Sequence, residues 1–123
     1  MDGISRGNVW LVSLEPIIGR EIGKTRPALV ISNDINNEYA ETVTVIPITS
    51  SVTKVYPFEV FLSKGTANLS KDSKVKCNQI RTVDKKRLIK QMGSLSQQKI
   101  EEIEKALLIH LGILSYIREI SDH

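Results

Sequence analysis

Apolar residues are arranged in two regimes along the chain: short runs first, then a helical spacing. The runs at Asn8 to Leu14, Pro27 to Ser32, Thr42 to Thr49 and Pro57 to Ser63 are rich in Val, Ile, Leu and Thr. Gly, Asn, Asp or Ser bound them, as expected of strands. Two weaker runs, near Ser73 to Ile80 and Leu88 to Gly93, extend the series. PFEVFLS alternates, with Phe58, Val60 and Leu62 on one face, whereas VWLVSL and ALVI are apolar on both faces and require cover on both sides. Phe58 and Trp10 are expected in the core. Pro47, within VTVIPIT, has no amide to donate and requires an edge or a bulge.

The period then changes. Ile100, Ile103, Leu107, Leu111 and Leu114 recur at three and four, which predicts a helix over about 96–118 with its apolar stripe on the sheet. Ser96 is placed to cap it, and Leu95 and Ile100 to staple its entry. Gly112 is expected to weaken its interior by about 1 kcal/mol relative to Ala. His110, beside the stripe, reads as a partly covered helix residue rather than a ligand. Strands followed by one long helix imply a mainly β fold, a small barrel or strongly bent sheet over about 6–94. With no repeat, low-complexity tract or linker, one domain over 1–123 is expected.

Composition adds mostly exclusions. At 41% hydrophobic and 25% charged, the chain resembles an ordinary soluble globular protein. No apolar run approaches the roughly 20 residues of a membrane span. Met1 to Gly7 lacks a signal-peptide core, so a cytoplasmic protein is expected. Cys77 is alone, and His110 and His123 both lie near the C-terminus. That leaves no internal disulfide, no metal-ligand spacing and no paired-histidine nuclease site in the body of the chain; neither metal nor cofactor is expected.

The net charge of +3 is unevenly spread: residues 71–90 hold eight Lys/Arg against two Asp, and residues 96–123 three against five Asp/Glu. The basic segment favours an anionic partner such as nucleic acid. A solvated strand-and-turn surface is the alternative.

Three stretches could carry chemistry. In GREIGKTRPALVISND, Pro27 biases Arg26 toward extended backbone, and Gly19 and Gly23 let the loop bearing Arg20, Glu21 and Lys24 come close to a ligand. Arg26 suits a bidentate phosphate contact, or else an ion pair with Glu15 or Glu21. Thr49, Ser50 and Ser51 leave an apolar strand and could donate to a phosphate, or simply form a turn. In Asn78-Gln79-Ile80-Arg81-Thr82, the amides could read base edges and Arg81 could hold phosphate or stack.

In order and spacing, RGNVWLVSLEPIIGREIGKTRPALVISND, VIPITSS, YPFEV and QIRTVDKKRL resemble the MazF/PemK/Kid toxins of bacterial type II toxin–antitoxin pairs, over about Arg6 to Ile120. The resemblance implies a small SH3-like β-barrel of the PemK/CcdB kind with a C-terminal helix, working as a homodimer. It implies a sequence-specific, metal-independent endoribonuclease that cuts single-stranded RNA or mRNA. The RNA's own 2′-hydroxyl attacks, leaving a 2′,3′-cyclic phosphate and a 5′-hydroxyl. The family's catalytic arginine falls on Arg26 and its catalytic threonine on Thr49. Glu21 falls on the acidic loop residue, a possible acid or base. Arg20, Lys24, Thr25, Ser50 and Ser51 are expected along the RNA groove, with Asn78, Gln79 and Arg81. The partner implied is a cognate antitoxin with an acidic disordered tail; operator DNA is reached only through that complex, and no membrane is involved.

The chain also departs from the pattern. Asn78 stands where several relatives carry Asp or Glu, and Asn cannot accept the 2′-hydroxyl proton at neutral pH. Ile22 replaces a Gln that often follows the loop glutamate, and Arg20 a histidine found in one relative. Gyrase-poisoning toxins share the barrel but bind a protein and cut nothing; a passive nucleic-acid-binding module is the other rival. Arg26 with Thr49 favours the ribonuclease.

Overall fold

The computed structural model describes residues 3–113. Its elements are β1 (Asn8–Ser13), β2 (Thr25–Val30), α1 (Asp34–Tyr39), β3 (Thr42–Thr49), β4 (Glu59–Leu62), β5 (Ser73–Lys76), β6 (Arg81–Asp84), β7 (Leu88–Ser94) and α2 (Gln97–Leu111). Every strand pair is antiparallel, in the order β4-β5-β3-β2-β1-β7, with β6 also paired to β3. The fold is mainly β with a C-terminal helix.

Both faces of the sheet are covered, as the two-sided apolar runs require. Val9, Leu29, Ile46, Ile48, Val60 and Val75 pack with Ile100, Ile103 and Ala106 of α2. Their strand neighbours Trp10, Val12, Ala28, Val30, Val43 and Val45 form a second core with Val83 and Leu88. Phe58 is only half buried and stacks on Tyr56, outside both cores.

β3 is central, which corrects the edge or bulge expected at Pro47. One side of β3 pairs with β2; the other pairs with β6 through Thr42–Val45 and with β5 through Ile48–Thr49. Between these two ladders the register jumps by three residues, the length of the turn Cys77–Gln79. The Ile31 amide donates to the Thr44 carbonyl at 3.0 Å, so even-numbered β3 residues turn their amides toward β2. Odd-numbered Pro47 therefore faces the jump, where no rung is needed. The same turn divides the weak run Ser73 to Ile80, leaving β6 as a separate strand.

Among the described residues no ladder joins β4 to β7, so the barrel is not closed by strand pairing. A turn closes it instead. Asn68 Nδ2 donates to the Met92 carbonyl at 2.6 Å, and a Cβ on Gly93 would lie 2.9 Å from Ala67 Cα. Only glycine admits that approach.

α2 is capped at Ser96, whose Oγ accepts from the Lys99 amide at 3.3 Å. It ends at Leu111, because Gly112 takes the left-handed conformation (φ 70°) and closes the last turn onto the Ile109 and Leu108 carbonyls. Gly112 is thus a stop signal and not an interior weakness; Leu114 and residues 114–118 lie outside the described residues, as does His123. The buried stripe is also shorter than the spacing implied. Ile100, Ile103 and Ala106 are buried, but Leu111 is 55% exposed and His110 faces solvent. Truncating Ile103 to Ala should cost about 2–5 kcal/mol in urea unfolding. Leu111→Ala should stay within about 0.5 kcal/mol.

Candidate active site

Arg26 and Thr49 occupy neighbouring strands, and the register brings them together. The β2–β3 ladder pairs Val30 with Val45, Leu29 with Ile46 and Ala28 with Pro47. Continued past its last rung, it sets Arg26 opposite Thr49, where side chains project from the same face. Thr49 in turn lies opposite Lys74 on β5, and Lys74 opposite Phe61 on β4. A row Arg26–Thr49–Lys74–Phe61 therefore crosses four strands.

The guanidinium of Arg26 is held by its own loop. Its Nε donates to the Gly23 carbonyl at 3.0 Å, and it forms no ion pair among the described residues. Pairing with Glu15 or Glu21, one option left open by the sequence, is not what the fold adopts. The Glu15 carboxylate accepts from the Lys24 amide at 2.6 Å, and Glu21 accepts from the Ile18 amide at 2.5 Å. Lys24 is left-handed (φ 64°), and a Cβ on Gly23 would meet Glu15 Oε1 at 2.5 Å. A side chain at residue 23 would therefore have to displace the Glu15 carboxylate and Ile17.

The loop's base is closed by the Leu14 amide on the Lys24 carbonyl at 2.9 Å. Gln79 Oε1 accepts from the Ile22 amide at 3.2 Å, and Arg81 Nη1 donates to the Leu14 carbonyl at 3.1 Å. Gln79 and Arg81, expected along an RNA groove, thus also fasten the loop. Arg87 joins them by donating to the Ser13 and Glu15 carbonyls. The tip stays free: Ile18 is 84% exposed, and Arg20 and Lys24 also face solvent.

Thr49 Oγ1 accepts from the Ser51 amide at 3.3 Å, so a turn does follow β3. The turn and a functional hydroxyl are compatible, because the Thr49 proton remains available to donate. Ser50 and Ser51 are exposed beside it, and Thr25 at the start of β2. Asn78 Oδ1 is buried without a hydrogen-bond partner among the described residues.

The residues missed by sequence reasoning lie next in the row. Glu59 is buried and contacts Lys74 Nζ at 3.0 Å and Lys76 Nζ at 3.7 Å. The Tyr56 amide donates to the same carboxylate at 2.9 Å. Burial pushes the Glu59 carboxyl upward, but the Tyr56 amide and the two lysines outweigh it and hold it below its ordinary value. Lys54 and Lys74 sit over the Tyr56 ring, 4.8 and 5.9 Å from its centroid. No sequence signal marked this cluster, because Glu59 alternates with the apolar positions Phe58, Val60 and Leu62 and reads as an outward, solvated carboxylate. Among the described residues no group of three His, Cys, Asp or Glu side chains is gathered as a metal site would need.

Comparison with known proteins decides the family. The PemK-like, MazF-like toxin model of type II toxin–antitoxin systems matches residues 5–111. The chain belongs to that family. It is 40% identical over 115 residues to Endoribonuclease MazF9 of Mycobacterium tuberculosis, covering 89% of this chain and 98% of that protein. The crystal structure of MazF from Deinococcus radiodurans superposes with a TM-score of 0.78 at 28% identity, covering 89% and 96% of the two chains. A mycobacterial endoribonuclease in complex with its cognate antitoxin shares the fold, with a TM-score of 0.74 at 22% identity and coverage of 89% and 96%.

In this toxin-family fold the Glu59 pair makes stability pH-dependent. A carboxylate whose folded pKa is depressed stabilises the fold above its unfolded value of about 4.3 and loses that contribution as pH falls through the folded value. Unfolding midpoints of the wild type should therefore drop between about pH 5 and pH 3 more steeply than those of Glu59→Gln. Lys74→Ala should cost about 3–5 kcal/mol at neutral pH, as expected when one partner of a buried pair is removed.

Proposed function

We propose that this chain is the toxin of a type II toxin–antitoxin pair and cuts single-stranded RNA or mRNA at short sequences. One observation carries the reading: an arginine with no carboxylate partner among the described residues stands across from a hydroxyl donor on a cationic face, in a chain of this family. Arg26 holds the scissile phosphate and the charge growing on its oxygens, and Thr49 donates to the same group. The nucleophile is the RNA's 2′-hydroxyl. Its oxygen bonds to phosphorus as the P–O5′ bond breaks; the 2′ proton leaves to a base and the 5′-oxygen gains one. The products are a 2′,3′-cyclic phosphate and a 5′-hydroxyl. Positioning the reacting groups supplies much of the acceleration in such an internal attack.

Glu21 is the carboxylate we assign to proton transfer, since Asn78 cannot take a proton at neutral pH. To serve, Glu21 must leave the Ile18 amide it now accepts from, so the loop rearranges on substrate. Arg20, Lys24, Thr25, Ser50, Ser51, Gln79 and Arg81 border the RNA path, with Asn78 beneath it. The working unit is a homodimer, and the antitoxin's acidic tail covers the cationic face.

Replacing the single 2′-hydroxyl at the cut bond by hydrogen should abolish cleavage while RNA still binds. Cutting of that deoxy substrate would refute internal attack. Activity should persist in excess EDTA; loss reversed by magnesium would do equal damage to the proposal. Arg26→Ala should slow cleavage by at least about a hundredfold, with a stability change under about 1 kcal/mol. Sedimentation at micromolar concentration should report about twice the 13.8 kDa chain mass; a monomer that cuts RNA would exclude the dimer as the active form.

A further inference from the structure

Lys74 stands opposite Thr49, where a lysine on a cationic face would ordinarily meet phosphate, yet only 7% of it is exposed. Its Nζ donates to Glu59 Oε1 at 3.0 Å and to the Lys54 carbonyl at 2.6 Å. Two of the three ammonium protons are thereby engaged. A buried ion pair is a poor source of stability, since apolar residues of like volume often serve an interior as well or better. What they cannot supply is a donor for the Lys54 carbonyl.

That donor holds a whole segment in place. Residues 50–57 follow Thr49, the last residue of β3, and lead toward β4. Within this segment and its flanks, the Ser51 amide donates to Thr49 Oγ1 at 3.3 Å and the Tyr56 amide to Glu59 Oε1 at 2.9 Å. The Glu59 amide returns a bond to the Tyr56 carbonyl at 2.8 Å. Among the described residues, the bond from Lys74 is the one hydrogen bond that ties residues 50–57 to another strand. The same ammonium lies 5.9 Å from the centroid of the Tyr56 ring, within reach of a cation–π attraction. Glu59 thus holds the loop's far end directly, through the Tyr56 amide, and its middle indirectly, through Lys74.

We infer that Lys74 is a positioning residue of the proposed site, an inference that rests on the ribonuclease reading above. Its ammonium binds no phosphate. It fastens residues 50–57 to β5, and the Ser51 amide at the near end of that segment fixes Thr49 Oγ1 as an acceptor. The Thr49 proton is then left to donate to the phosphate. A slack loop would let the hydroxyl rotate, and the loss would fall on the chemical step rather than on binding.

The test removes the tether without leaving a buried charge. In Glu59→Gln/Lys74→Met the new amide still accepts from Tyr56 and the methionine fills the lysine's place, but nothing donates to the Lys54 carbonyl. Trypsin should then cut at exposed Lys54 at least about tenfold faster than in the wild type, because the loop opens more often. On a single-stranded RNA that the wild type cuts at one site, kcat should fall about tenfold. The slope of log RNA affinity against log salt should not change. A cooperatively melting double variant with wild-type kcat would overturn the inference, since the pair would then serve the fold alone. A slope shallower by about one ion would also overturn it, by making Lys74 a phosphate contact. Should the double variant fail to melt cooperatively, a glycine inserted between Thr53 and Lys54 slackens the same loop with the pair intact. Its kcat should fall in the same way, and a wild-type kcat there would refute the route from loop to hydroxyl. A wild type that cuts no RNA would instead remove the ribonuclease reading, while the trypsin rates would still report on the tether.

Discussion

The sharing of β3 between two ladders is the constraint on which the rest of the molecule depends. Its first half belongs to β6 and its second to β5, while β2 runs along the other side. A strand can change partners only where a rung can be omitted without burying an unpaired donor, and Pro47 has no donor to bury. The three-residue turn at Cys77–Gln79 fills the jump. That turn delivers Gln79 to the loop above Arg26, and Lys74 and Lys76 to the row beside Thr49.

A cationic face built this way needs internal compensation. Lys74 is almost entirely buried, and an ammonium group removed from water is tolerated only when paired. Glu59 supplies that pair from the next strand, and the Lys54 carbonyl accepts a further bond from Lys74 Nζ at 2.6 Å. The face therefore presents less charge than its lysine count implies. Arg26 forms no ion pair among the described residues, so its charge remains available to an anion. Its orientation is set through backbone groups: Glu15 holds Lys24, and Gly23 holds Arg26.

Much of this was legible in the residues, and what was not has identifiable causes. Strand runs and the helix announced themselves because their periods are long enough to count. β6 was hidden because RTVD is short and polar, and it earns its place by pairing with β3 and burying only Val83. α1 was hidden because DINNEY carries no apolar stripe. It forms through side-chain hydrogen bonds: Asn33 caps it, and the buried Asn37 bonds to Ser32. Arg26 and Thr49 could be named from a resemblance, but their facing positions come from a register that no local pattern encodes. The Glu59–Lys74 pair was illegible for a similar reason: fifteen residues separate two groups that only strand pairing joins.

The proposed site also straddles a seam. Pro27 has no amide to offer Ile48, and Ala28 and Pro47 are the last paired residues of β2 and β3. Below that pair, Arg26 travels with β1, to which it is paired through Val12, and Thr49 travels with β5, to which it is paired through Lys74. The guanidinium is therefore oriented from β1 and from its own loop, through the Gly23 carbonyl, and the hydroxyl from β5, so the two groups of the proposed site answer to separate strands and a change in either ladder shifts one group without the other.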